Sequence, residues 1–400
     1  MSEERDLGEA LAGLLQASHR ATFEQLPGLM QQAAVGCGYA GARLFVVDLQ
    51  QDVLREVTGK GRSAGDGGQE WAIDSTLAGR AYQSGQPVLS GDGRHAWIPV
   101  LDGTERLGVF DLRRAVAPKA IQDEVTRDPA GWALASLAGM LLVSKRANSD
   151  SYARLARTGL MSVSAEMQWT LLPPMTFADE RVTISAAMEP AYEIAGDGFD
   201  YAVTGDVAHL AVFDSMGHDT SAGLTASLAM ATSRNQRRQG ADLADVSRAI
   251  EDTLVGQFGH SRYATGILAD LDLNTGVLSW VNRGHLLPLV IRGERWATTT
   301  RCPPAGPMGA GLGLPVTLCQ DRLEPGDRLL LYTDGITEAQ DRAGGQFGVQ
   351  RFTDFVIRHH ATGLPVAEVL RRLIHGLLDY HQGRLDDDAT VLFCQWNGPS

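Results

Sequence analysis

Four hundred residues exceed what a single hydrophobic core normally organises, and the length suits two domains of about 100 to 200 residues each. With 44% hydrophobic and 21% charged residues, the composition excludes wholesale disorder and fibrous repeats. The formal net charge of -13 argues against a general nucleic-acid binder, and it repels acidic partners unless bound cations reverse the sign locally.

The cysteines Cys37, Cys302, Cys319 and Cys394 lie far apart without C-x-x-C spacing, so neither a zinc site nor a disulfide framework is predicted, and a reducing, cytoplasmic setting is expected. The opening residues are acidic and lack the basic-then-apolar order of a secretory signal. The most apolar stretch, 132–143, runs about a dozen residues against the ~20 of a spanning helix. It predicts a buried helix and no membrane span.

In chain order, residues 6–34 carry apolar positions at helical spacing (Leu7, Leu11, Leu14, Leu15, then Phe23, Leu26, Leu29, Met30), which predicts one or two amphipathic helices. Strands are predicted at 44–48, 96–100 and 107–112, with Asp-Gly turns at Asp92 and Asp102, and a helix near 75–84. This order, with the phrase Leu77-Ala78-Gly79-Arg80-Ala81-Tyr82-Gln83-Ser84-Gly85-Gln86-Pro87-Val88, resembles a GAF sensor domain, assigned to residues 1–127. Cys37 reads as a packed small residue or as a sensor thiol.

Residues 128–172 turn helical, with no proline between Pro129 and Pro173, and predict a long helical linker. Leu134, Leu137, Leu141, Leu155, Met161 and Met167 offer a seam for a homodimer, or alternatively the face of a helix packed on its own domain.

Beyond Pro174 the pattern is mixed. Strands are predicted at 181–188, 209–213, 263–270, 277–281, 328–332 and 389–396, and helices at 220–238, 243–258 and 366–380. Hairpins with inserted helices predict an α+β domain over 173–400, with antiparallel sheets covered by helices.

The chemistry-bearing candidates are aspartates. Five Asp-Gly pairs begin at Asp66, Asp92, Asp102, Asp197 and Asp334, and such pairs are ordinarily turns. Asp334, however, follows the apolar strand 329–332, Asp214 ends the apolar run 210–213, Asp197 is expected to follow a strand closely, and Asp386-Asp387-Asp388 precedes the last strand. Converging carboxylates without Cys or ligand-spaced His suit hard cations, Mn2+ or Mg2+, because a metal is what allows such charges to share a pocket.

The succession Gln168-Trp169-Thr170-Leu171-Leu172-Pro173, Pro190-Ala191-Tyr192-Glu193-Ile194-Ala195-Gly196-Asp197, Asp214-Ser215-Met216-Gly217-His218, Asn282-Arg283-Gly284-His285, Pro325-Gly326-Asp327, Tyr332-Thr333-Asp334-Gly335 and Asp387-Asp388-Ala389-Thr390 resembles the SpoIIE-type branch of the PPM protein phosphatases over about 165–397. The resemblance implies an α/β/β/α sandwich of two antiparallel sheets and a pair of metal ions. It implies Asp197, Asp214, Asp334 and Asp387 as ligands, with the Ser215 backbone carbonyl completing one sphere. The implied activity is hydrolysis of phosphoserine or phosphothreonine on a regulatory protein, usually an anti-anti-sigma factor, by a metal-activated water.

The departures from the family pattern are Gly198 after Asp197, Ser215 where Gly is common, Asp219 where Gly is frequent, and Met216 where the wider superfamily has a His proposed as proton donor. His218 is the catalytic alternative for that proton, or else it orders the turn before the next helix. Asp200 is a supporting acid or a ligand. Arg283 contacts phosphate or lies on the surface, and His285 fixes a loop. Ser215 and Met216 also motivate a second functional reading, an inactive scaffold acting by protein binding.

Overall fold

The computed structural model describes residues 2–115, 128–193, 196–293, 295–298, 302–360, 363–383 and 385–399. The chain divides into two compact units, Met1–Leu160 and Met161–Ser400. Among the described residues no helix is long and apolar enough to cross a membrane.

The first unit contains α1 (Ser2–Ser18), α2 (Leu26–Gly36), β1 (Gly41–Val47), β2 (Val53–Val57), β3 (Glu70–Ala72), α3 (Leu77–Ser84), β4 (Val88–Leu89), β5 (His95–Asp102), β6 (Glu105–Arg113), α4 (Pro129–Arg146) and α5 (Asp150–Ala156). Its strands form one antiparallel sheet in the order β3-β2-β1-β6-β5-β4. Strand side chains alternate between faces, so both faces can be apolar. Leu44, Val46, Phe110 and Leu112 pack with Leu26 and Met30 of α2 and Leu134 of α4, whereas Phe45 and Val109 pack with Ala78, Ala81 and Tyr82 of α3.

The stretch 128–172 is not one linker. Side-chain caps interrupt it: Ser149 accepts from the Tyr152 N–H to start α5, and Ser162 accepts from the Ala165 N–H to start α6 (Val163–Leu171). The division at Leu160 leaves α4 and α5 in the first unit and α6 in the second. Leu134, Leu137, Leu141 and Leu155 are buried in the first unit's core and Met161 packs on the second unit's core. Of the two alternatives, packing on their own units is the one seen for these five residues.

The second unit continues with β7 (Thr176–Ala178), β8 (Val182–Glu189), β9 (Asp197–Thr204), β10 (Val207–Ser215), α7 (Thr220–Arg238), α8 (Leu243–Phe258), β11 (Ala264–Asp272), β12 (Val277–Arg283), β13 (Leu289–Arg292), β14 (Arg295–Thr298), β15 (Cys319–Arg322), β16 (Arg328–Tyr332), α9 (Asp334–Glu338), α10 (Gly348–His360), α11 (Val366–Tyr380) and β17 (Ala389–Trp396). One antiparallel sheet runs β15-β12-β11-β10-β9 and the other β14-β13-β16-β17-β8-β7. Leu210 and Val212 of β10 meet Leu329 and Leu331 of β16 and Leu392 of β17 between the sheets. The alternate residues of those strands face outward: Phe213 packs with Met230 of α7 and Ile250 of α8, and Leu330 and Phe393 pack with Leu370 and Leu373 of α11. The result is the expected α/β/β/α sandwich of two antiparallel sheets.

One expectation fails. Cys302 and Cys319 form a disulfide with Cα atoms 5.6 Å apart, 17 positions apart in sequence. Pairing of β15 with β12 places Cys319 at that sheet's edge, and the Ala305 N–H donation to the Asn282 carbonyl returns the other end of the loop to the same strand. No local spacing announces a bond made by strand pairing.

Candidate active site

Asp197 opens β9 rather than following a strand closely, and it stands opposite Asp214 in the β9–β10 register. Asp334 opens α9 directly after β16, and Asp387 lies two positions before β17, whose Val391 pairs with Tyr332. The two sheets thus each deliver two carboxylates to one edge. Exposure rises from Asp197, 2% exposed, through half-buried Asp214 and Asp334 to exposed Asp387.

The link across the sheets is specific. The Thr333 hydroxyl, at the end of β16, lies 2.6 Å from Asp197 Oδ2, and Asp388 Oδ2 accepts the Gly196 N–H at 2.6 Å and the Asp197 N–H at 3.3 Å. Asp388 is therefore engaged with the backbone, whereas Asp387 remains at the surface. Close backbone approach also separates Asp334-Gly335 from an ordinary turn, because a Cβ on Gly335 would lie 2.1 Å from the Asp388 carbonyl oxygen.

The electrostatics are unfavourable for bare carboxylates. Burial, then Asp214 and Asp388, holds Asp197 well above the usual carboxylate range despite the Thr333 hydrogen bond. Burial, then Asp334, Asp387 and Asp388, pushes Asp214 up to about 7. Burial, then Asp387 and Glu338, raises Asp334. Among the described residues no Lys, Arg or His pairs with Asp197, Asp214, Asp334 or Asp387. Among them, too, no three acidic, His or Cys side chains close on one point as a finished ligand cage.

Ser215 is buried, and the backbone there lies outside the positive-φ region that would demand glycine. Its hydroxyl stands 2.9 Å from the Gly196 carbonyl and 2.8 Å from that of Ala222, tying β10 to the start of α7. A Cβ on Gly196 would fall 2.9 Å from the Ser215 carbonyl oxygen, so glycine is required there instead. Met216 and His218 are exposed on the following loop. The capping role belongs to Asp219, which accepts from the Ala222 N–H and pairs with Arg262 at 2.9 Å, while Arg262 also donates to the Met216 carbonyl. Arg262 carries no motif signal and is legible only in three dimensions.

Three other motif residues have internal partners. Asp200 is 1% exposed and accepts from Arg234 and Arg237 of α7 at 2.6 to 2.8 Å, so it clamps a helix. Arg283 is buried rather than at the surface: it donates to Glu251 at 2.5 Å, to the Ser247 hydroxyl at 2.6 Å and to the Gly306 carbonyl at 2.7 Å. His285 Nε2–H donates to the Tyr332 carbonyl, which leaves Nδ1 to accept the Thr265 hydroxyl, and its backbone closes a ring with Asn282.

A sandwich of this topology with carboxylates gathered at one edge defines the second unit as a PPM-type domain. Residues 204–397 match the family "Stage II sporulation protein E (SpoIIE)". Protein IcfG of Synechocystis is 22% identical over 338 residues, covering 74% of this chain and 51% of that protein. Phosphoserine phosphatase RsbU of Bacillus subtilis is 21% identical over 233 residues, covering 58% of this chain and 68% of that one. The chain thus spans about half the length of the first relative and about two thirds of the second. Among solved structures, the SiaA-PP2C domain of Pseudomonas aeruginosa is similar with a TM-score of 0.49 and 21% identity, covering 58% of this chain and 94% of that one.

Proposed function

We propose that the second unit hydrolyses phosphoserine or phosphothreonine on a regulatory protein, with two Mn2+ or Mg2+ ions held by Asp197, Asp214, Asp334, Asp387 and the Ser215 carbonyl. The observation that carries this reading is the delivery of unpaired carboxylates from both sheets to one edge. The donor set is all oxygen, which fits hard divalent cations. Such ions would supply Lewis acidity towards the phosphoryl group and a lower pKa for the attacking water.

The chain's own contributions are positional. Asp197 and Asp214 are fixed by strand register, Asp334 by the start of α9, and the Ser215 carbonyl by the packing of Gly196 beneath it. Exposed Asp387 and the exposed Met216–His218 loop leave room for a protein-borne phosphate. Exposed His218 is the imidazole of that loop proposed to pass a proton to the departing seryl oxygen. The reaction class is supported by RsbU, itself a phosphoserine phosphatase. The proposed substrate is a phosphorylated anti-anti-sigma factor, and the first unit, a sheet with helices on both faces, is proposed as a GAF-like sensor that adjusts activity.

The test is manganese-dependent phosphate release from candidate phosphoproteins by the full chain. Asp334→Asn is expected to lower turnover by more than about 100-fold, beyond the 10–100-fold typical of supporting residues. A folded Asp334→Asn protein with full activity would sink the assignment. The competing reading, a binding-only scaffold, is motivated by Met216 in place of a proton donor, and predicts no manganese binding at millimolar concentration.

A further inference from the structure

Asp197 is held by a hydroxyl that comes from the other sheet. Thr333 is 0% exposed, between β16 and α9. Its Oγ1 lies 2.6 Å from Asp197 Oδ2, accepts the Thr390 N–H at 2.9 Å, and stands 3.5 Å from the Asp388 carbonyl. A hydroxyl has one proton to give. The Thr390 N–H occupies a lone pair, and the much shorter distance directs the proton to the Asp197 carboxylate as a short, charge-assisted hydrogen bond.

The backbone on both sides is pinned. Thr333 N–H donates to the Thr390 carbonyl at 3.0 Å, and Asp388 receives the N–H groups of Gly196 and Asp197. Neither donor nor acceptor can swing away without breaking a strand end. Threonine therefore does here what a valine of the same shape cannot: it occupies one carboxylate oxygen and fixes the rotation of the group.

We propose that Thr333 is a positioning residue for Asp197, setting that carboxylate's orientation for divalent-cation binding. The inference rests on the two-metal reading given above. It assigns part of the metal affinity to a side chain that is not itself a ligand.

The experiment is calorimetric titration of Mn2+ into the full chain, at a temperature well below each protein's unfolding midpoint, for wild type, Thr333→Val and Thr333→Ser. Thr333→Val is expected to weaken manganese binding by about 10- to 100-fold. Thr333→Ser, which keeps the hydroxyl, is expected to restore wild-type affinity, and half-maximal phosphate release should shift to higher manganese only in Thr333→Val. A purely structural role would lower the unfolding midpoint without moving the affinity. Equal affinity for wild type and Thr333→Val overturns the inference, as does a Thr333→Ser protein as weak as Thr333→Val. Should Thr333→Val not fold, Thr333→Ala against Thr333→Ser makes the same comparison. Wild type that binds no manganese removes the two-metal reading itself, so the two failures are told apart.

Discussion

Asp197 and Asp214 occupy the same rung of the β9–β10 ladder, so two carboxylates leave directly opposed backbone positions at the end of a sheet. Like charges so placed oppose folding unless a cation offsets them.

Asp214→Asn should therefore stabilise the metal-free protein while harming function. In chelator at pH 8 the variant is expected to gain about 1 kcal/mol, equivalent to a rise of about 2–4 °C in the unfolding midpoint of the second unit. Added manganese should reverse the order. A variant that melts below wild type in chelator would contradict the repulsion argument.

His285 provides a pH signature. Burial pushes its imidazole down to about 4, and the neutral tautomer is held by Thr265 and Tyr332. The folded value lies below the unfolded one, so the stabilisation is complete above about pH 6.5 and is lost as pH falls through 4, a span on the order of 3 kcal/mol. Denaturant titrations from pH 7 to 4 should show this loss in wild type and a flatter profile in His285→Asn.

Asp200 separates a clamp from a ligand. Its substitution by Asn leaves Arg234 and Arg237 without their buried anion, at an expected cost of about 3 kcal/mol. Manganese affinity should be unchanged, and a weakened calorimetric titration would instead make Asp200 part of the cation site.

Arg283→Lys tests the other reassignment. Lysine cannot span Glu251, Ser247 and Gly306 together, so a loss of about 2 kcal/mol in stability is expected. With its guanidinium engaged by these internal partners, KM for the phosphoprotein is expected to stay at the wild-type value.

The sequence pattern carried much of this arrangement. Helices α7 and α8 begin and end where the apolar spacing places them, because each has an Asp cap and a continuous buried face. The order of the acidic motifs pointed to one edge. What escaped reading depends on partners distant in the chain: Asp200 meets arginines 34 and 37 positions away, and Arg283 meets Glu251 32 positions away, with no periodic trace. Strand β9 goes unpredicted because Asp197 is expected to follow a strand rather than open one, although Phe199, Tyr201 and Val203 alternate as a strand should. Helix α10 likewise showed helical spacing at Val349, Phe352 and Val356 that went unread.

The Cys302–Cys319 bond closes the intervening residues into a ring with two unlike halves. Residues 305–311 are fastened to the sandwich, through Ala305 to Asn282, Met308 to Ala264, and the Gly309 and Gly311 N–H groups to Glu251. The remainder carries exposed Leu312, Leu314 and Leu318 and returns to the covalent closure. Length added near Gly313 would stay inside the ring. That tip is accordingly a place on this domain where a foreign loop or a reporter peptide can be grafted within a covalently closed ring.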